Sequence, residues 1–168
     1  HNKVPKTYIE QVFQVMNECR KHIFQLLTKR PGRMAQLSDG IQWTDNIWAG
    51  TSVESEEYSE RINQVRNVEA NIRFLSLEPL IGPIEGLNLD GIDWVIVGGE
   101  SGPGARRMEP DWVIDIFETC RQQGVPFFFK QWGAYGPDGE KRSKKKNGRT
   151  LLGEEWNEYP DELETTGV

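Results

Sequence analysis

Five short apolar runs in this chain each end on a residue able to do chemistry. The first is followed by Thr28-Lys29-Arg30 and the second by Thr51-Ser52, with Glu54 just beyond. The third gives Ser76-Leu77-Glu78-Pro79, the fourth Gly98-Gly99-Glu100-Ser101, and the fifth Lys130-Gln131-Trp132. Two carboxylates, Glu78 and Glu100, could share acid and base work. Lys130 emerges from the apolar run PFFF, where partial desolvation would lower its pKa and suit it to proton transfer or carboxylate binding. These three are the candidate catalytic residues. Gly98 and Gly99 would let a ligand approach the backbone closely, so with Glu100 and Ser52 they are the candidate cofactor contacts. Lys29, Arg30, Arg106 and Arg107 are the candidate anion-binding groups.

Each position also has a purely structural explanation. Thr51 with Glu54 fits a capping box for the next helix. Glu100 fits a tight turn closed by an ion pair, and Lys130 a salt bridge with Glu78 or Glu100. Trp132 could stack on a planar ligand or close the sheet. GGESGPGARR matches neither the dinucleotide fingerprint nor the Walker loop, because spacing and the Lys-Ser/Thr pair are wrong.

Something must hold these ends together. Apolar residues at Tyr8, Val12, Met16 and Cys19 have helical spacing. Strands are expected at 22–27, 47–53, 72–77, 93–97 and 126–129. Pro31 opens a short helix carrying Met34 and Leu37. A further helix carries Tyr58, Ile62 and Val65. Pro110 opens one with a Val113, Ile114, Phe117, Cys120 stripe, which Gly124 ends. Prolines and glycines between the third and fourth strands leave no room for a long helix. Strands alternating with helices predict an α/β fold of about five strands, either a partial (β/α) barrel or an open, mostly parallel sheet. Function in such folds sits at the C-terminal strand ends. The expected organisation is a domain over 1–133 and a polar C-terminal appendage over 134–168, the latter with a basic run at 141–146, an acidic stretch at 154–164 and an amphipathic turn around Trp156 and Tyr159.

Composition narrows the class. The chain has 168 residues, 36% hydrophobic and 10% aromatic, enough for a packed core, and its net charge is -6. That charge argues against a generally basic nucleic-acid binder, although a local patch could still bind. Two isolated cysteines, Cys19 and Cys120, match no disulfide framework and no metal-ligand spacing, so they read as small buried apolar residues, and no metal ligand is assigned. Their reduced state fits a cytoplasmic setting. No run approaches the about 18 apolar residues of a membrane span. The chain opens at His1 without Met and enters a helix almost at once, as part of a longer protein would.

LLTKRP (26–31), GTSVES (50–55), FLSLEPLIGPI (74–84), GIDWVIVGGESGPGARRM (91–108), GVPFFFKQWG (124–133) and GRTLLGEEWNEYP (148–160) together resemble a bacteriophage-associated protein family of uncharacterised function that looks like the radical-SAM enzymes. The resemblance implies a partial (β/α) barrel, an N-terminal CxxxCxxC loop holding a [4Fe–4S] cluster, and S-adenosylmethionine on that cluster. This chain contains no such triplet, and Cys19 and Cys120 cannot replace one. The resemblance thus implies the C-terminal portion of a phage or prophage enzyme, with cluster and cofactor belonging to the full-length protein and no radical chemistry in this stretch alone. The substrate is unknown, with a nucleic acid or nucleotide the expected class. Two alternatives compete: a non-catalytic nucleic-acid or protein binding module, carried by the 141–146 run with Arg106 and Arg107, and a barrel hydrolase using Glu78 and Glu100. A truncated barrel exposes a sheet edge, so self-association is expected.

Overall fold

The computed structural model describes residues 1–160. Its elements follow in the order α1 (Lys6–Glu18), β1 (Phe24–Thr28), α2 (Pro31–Ser38), β2 (Ile47–Ser52), a 3₁₀ turn (Glu56–Tyr58), α3 (Glu60–Arg66), β3 (Arg73–Leu77), β4 (Trp94–Gly98), α4 (Pro110–Gln123), β5 (Phe127–Gln131) and α5 (Lys144–Asn147). The five strands form one parallel sheet in the order β1-β2-β3-β4-β5.

Strand order equal to chain order decides the layering. Every crossover steps one place in the same direction, and parallel crossovers are right-handed. All helices must then fall on one face. The packing agrees. Phe13 and Met16 of α1 pack with Ile47 near Phe24 and Leu26. Ile62 and Val65 of α3, and Val113, Ile116, Phe117 and Cys120 of α4, join Ala49, Leu75, Leu77, Val95, Val97, Phe127 and Phe129 in the main core, with Met34 and Ala35 of α2 against it. This single-direction winding is that of a barrel, left open here because β1 and β5 do not pair.

Among the described residues the other face carries no helix. Register sets Leu27, Gly50, Phe74 and Trp94 in one row, and Ser52, Ser76, Ile96 and Phe128 in the next. Trp48, Ile72, Phe74 and Trp94 form a second buried cluster on this inner face. Gly50 makes room for it: a Cβ there would lie 2.2 Å from the Phe74 ring. β4 is buried on both sides except at Ile96, as its apolar run suggests.

Several expectations need correction. The α1 stripe is Ile9, Val12, Phe13 and Met16, while Tyr8 is exposed and Cys19 is the half-buried C-cap residue. The helical phase of this segment sets Phe13 beside Met16, and Trp43 meets Phe13 edge-on at 4.8 Å. β1 starts at Phe24, because His22 N–H closes a turn onto Cys19 O. The α4 stripe includes Ile116, and Ile114 is only half-buried. Gly124 does end α4, at φ 68°. The capping box at Thr51 and Glu54 does not form: Thr51 lies within β2 and donates to Thr28 O at 2.9 Å, and the next turn is preceded by Ser55.

The segment after Gly133 is bound to the sheet and does not merely extend from it. Ala134 N–H reaches Glu100 O at 2.8 Å, and Trp132 donates its indole N–H to Thr150 O at 2.9 Å. Residues 156–158 run along the outer edge of β5, with Phe129 N–H on Trp156 O and Glu158 N–H on Phe127 O. Trp156 and Tyr159 stand on an extended segment, not on a helical turn. Trp156 packs on Phe117 and Tyr159 on Trp94 and Phe128. The acidic stretch beyond Pro160 lies outside the described residues.

Candidate functional site

The sheet brings one group of the expected residues together on the inner face, at the C-terminal strand ends. Ser52 and Ser76 are register partners there, 4% and 5% exposed. Beyond them the Glu78 side chain lies over Gly98, where an added Cβ would come within 2.9 Å of Glu78 Oε1. Glu78 accepts from Lys130 Nζ at 2.8 Å and from Gln131 Nε2 at 3.0 Å. Gln131 Nε2 also donates to Gly99 O at 2.9 Å. Its carbonyl Oε1 is buried with no hydrogen-bond partner. Lys130 keeps half its side chain exposed. The result is a carboxylate and an ammonium joined at the rim of the open face, above two hydroxyls, with one unused buried acceptor beside them.

Gln131 has no role in the sequence expectations. Strand alternation puts Lys130 and Gln131 on opposite faces. The ladder breaks register between Val97 and Gly98, so that Gly98 pairs with Gln131. A bulge of this kind re-aims side chains, and here both neighbours reach the same carboxylate. A polar residue closing an apolar strand was the available signal.

The two glycines are explained by the protein itself. A Cβ on Gly99 would sit 1.9 Å from Trp132 O, and Glu78 covers Gly98. Their lack of side chains lets β3, β4 and β5 converge.

Glu100 stands apart. Its carboxylate accepts from Arg106 N, Nε and Nη2, all at 2.8 Å. These bonds close the 100–106 loop and hold the Glu100 carboxyl well below the usual range, at about 2. A carboxyl held there stays ionised at neutral pH and does not fit the general-acid role, which in the hydrolase reading falls to Glu78. Arg106 is spent on Glu100, while Arg107 turns the other way, pairing with Glu109 at 3.1 Å and packing against Gly139. The adjacent arginines do not share a site.

Lys29 is likewise engaged. It pairs with Glu54, which is 4% exposed and also meets Arg61 Nη1 at 2.8 Å. Arg61 lies over the Tyr58 ring at 4.3 Å and donates to Ser52 O. Arg30 precedes α2 with its N–H on Thr28 Oγ1, and among the described residues its guanidinium forms no ion pair. Trp132 is 3% exposed and packs edge-on against Phe129, which closes the sheet and leaves no face for a ligand.

The cysteines do not fit an iron–sulfur cluster. Cys120 is buried in α4, where desolvation pushes its thiol up to about 12, opposite to the ready ionisation a metal ligand needs. Two cysteines also fall short of three ligands. Among the described residues no group of three His, Cys, Asp or Glu could hold a metal ion. No helix among them is long and apolar enough to cross a membrane.

No curated protein sequence and no solved structure matches the chain. The family model described as "Protein of unknown function (DUF5131)" covers residues 1–160, nearly the whole length, and the description names neither a phage nor a cofactor. The chain belongs to the DUF5131 family.

Proposed function

We propose that this chain is the C-terminal portion of a barrel enzyme of the radical-SAM-like kind its motifs resemble, in the phage or prophage setting they suggest, and that it supplies the wall binding the amino-acid end of S-adenosylmethionine. The observation that supports this is the Glu78–Lys130 pair on the open face. An amino-acid zwitterion carries one ammonium and one carboxylate. Lys130 is a point charge on a flexible stem and suits the carboxylate. The Glu78 carboxylate is the acceptor for the ammonium. Ser52 and Ser76 lie one row deeper and offer hydroxyls to the polar groups next to it.

The cofactor, when bound with a cluster, supplies a carbon radical; the cluster ligands are not in this chain, and no radical step is assigned to it. What the chain's residues do is bind and orient. Gln131 fixes the Glu78 carboxylate from below through Gly99 O, and single-direction winding puts the group at the C-terminal ends, where barrel enzymes work.

The test is a titration of the 168-residue chain with S-adenosylmethionine, followed by backbone amide NMR. Shifts are expected at residues 52, 76, 78, 130 and 131, and are expected to vanish in Lys130→Met. Shifts elsewhere, or none at millimolar cofactor, would overturn the proposal.

A further inference from the structure

The strand-end chemistry leaves one strongly charged surface unused. Six of the nine residues 141–149 are Lys or Arg, in a chain with a net charge of -6. The structure sorts these six. Arg142 is bound to Asp138, with Nη1 on Oδ1 at 2.8 Å, and Arg149 lies 3.6 Å from Glu155. Lys144, Lys145 and Lys146 form the turn of α5, are exposed, and have no acidic partner among the described residues. Lys141 lies over Tyr135 at 5.4 Å and donates to Pro103 O at 2.8 Å. That bond ties the basic segment to the exposed Gly102-Pro103-Gly104 loop. Arg107 packs against Gly139 but is bound by Glu109 at 3.1 Å.

We propose that Lys141, Lys144, Lys145 and Lys146 form a binding surface for the phosphodiester backbone of a nucleic acid. Three features favour that polyanion. Successive residues on a helical turn point about 100° apart, so the three lysines fan outward and cannot converge on one small anion, whereas they can meet phosphates repeated along a strand. The segment between Lys141 and Arg149 contains Ser143, Asn147 and Gly148 and no apolar residue, so it lacks the apolar side chains that anchor a basic segment in a lipid surface. Contacts of this kind position a nucleic acid without reading its sequence, and this surface sits beside the 99–106 loop at the strand-end mouth. The Arg106 guanidinium, bound by Glu100, takes no part. This surface does not depend on the cofactor reading and uses none of its residues.

The experiment is fluorescence anisotropy of the 168-residue chain with a labelled 20-nucleotide DNA, single-stranded and duplex, from 50 to 200 mM salt. For four phosphate contacts on a duplex, the logarithm of the affinity should fall with the logarithm of salt with a slope of about -3 to -4. The triple variant Lys144→Ala/Lys145→Ala/Lys146→Ala should bind more weakly and lower the slope by about 2 to 3. All three side chains are exposed, and a circular dichroism spectrum identical to the parent's confirms that the fold is intact. Absence of binding at 50 mM salt would overturn the inference. So would a slope unchanged in the triple variant, or displacement of the DNA by equal charge of polyglutamate or phosphatidylserine vesicles.

Discussion

Glu100 and Glu78 are two carboxylates at neighbouring strand ends with opposite fates. Glu100 sits in a loop short enough for Arg106 to return three donors to it, and charge-assisted bonds of that number favour the ionised form. Its pKa is lowered from 4.5 to about 2. A depressed carboxylate stabilises the fold above its ordinary pKa, and that contribution is lost as pH falls from about 4.5 through about 2. The pair is largely exposed to solvent and screened, so the effect on global stability is small. The direct readout is the side-chain carboxyl resonance in an NMR titration. It should titrate near 2 in the parent and rise in Arg106→Ala while staying below the ordinary 4.5, because the backbone N–H of residue 106 still donates; an unchanged midpoint would show that the Arg106 side chain is not the cause. Glu78, held by Lys130 and Gln131 at the rim, is the carboxylate left with a functional reading.

Among the elements, the segment after α5 contributes most beyond expectation. Its backbone pairs along β5, and the Glu158 carboxylate accepts from Phe127 N–H at 2.9 Å and pairs with Arg121. Trp94 Nε1 donates to Glu158 O at 2.8 Å. Edge strands with unpaired groups invite association, and this segment covers one of the two edges. Trp156 anchors it: its ring lies 4.5 Å from Phe117, and its N–H bonds Leu151 O. Trp156→Ala removes a half-buried ring, so the expected cost is about 2–3 kcal/mol, at the low end for a large aromatic. Urea unfolding should show a lower midpoint with an unchanged slope. A midpoint equal to the parent's would mean that the segment is only draped on the sheet.

At the scale of the whole molecule, the other edge matters. β1 pairs only with β2, and Leu27 is 52% exposed on the helix-free side, with Tyr8 exposed at 58% on the flanking helix. A parallel sheet usually has both faces and edges covered. Self-association through β1 is the expected consequence, visible as a mass above 19.3 kDa in size-exclusion light scattering. Leu27→Lys places a charge on that edge and should shift the distribution to monomer. A parent that is monomeric at tens of micromolar would refute the expectation.

The order of strands and helices up to β5, and the inward face of α3 at Ile62 and Val65, were legible in the sequence. Each is local: helical and strand periodicity, proline at a helix start and glycine at its end act over a few residues. The parallel sheet followed from the alternation of elements. What only the tertiary structure decided was pairing. It gave Glu54 to Lys29 and Arg61, Glu100 to Arg106, and Glu78 to Lys130 and Gln131. It sent Arg106 and Arg107 in opposite directions, and laid the polar tail along β5. These outcomes depend on a bulge at Gly98, on two backbones touching at Gly99, and on contacts tens of residues apart in sequence. No periodicity encodes them, because a side chain's partner is set by where the backbone around it turns.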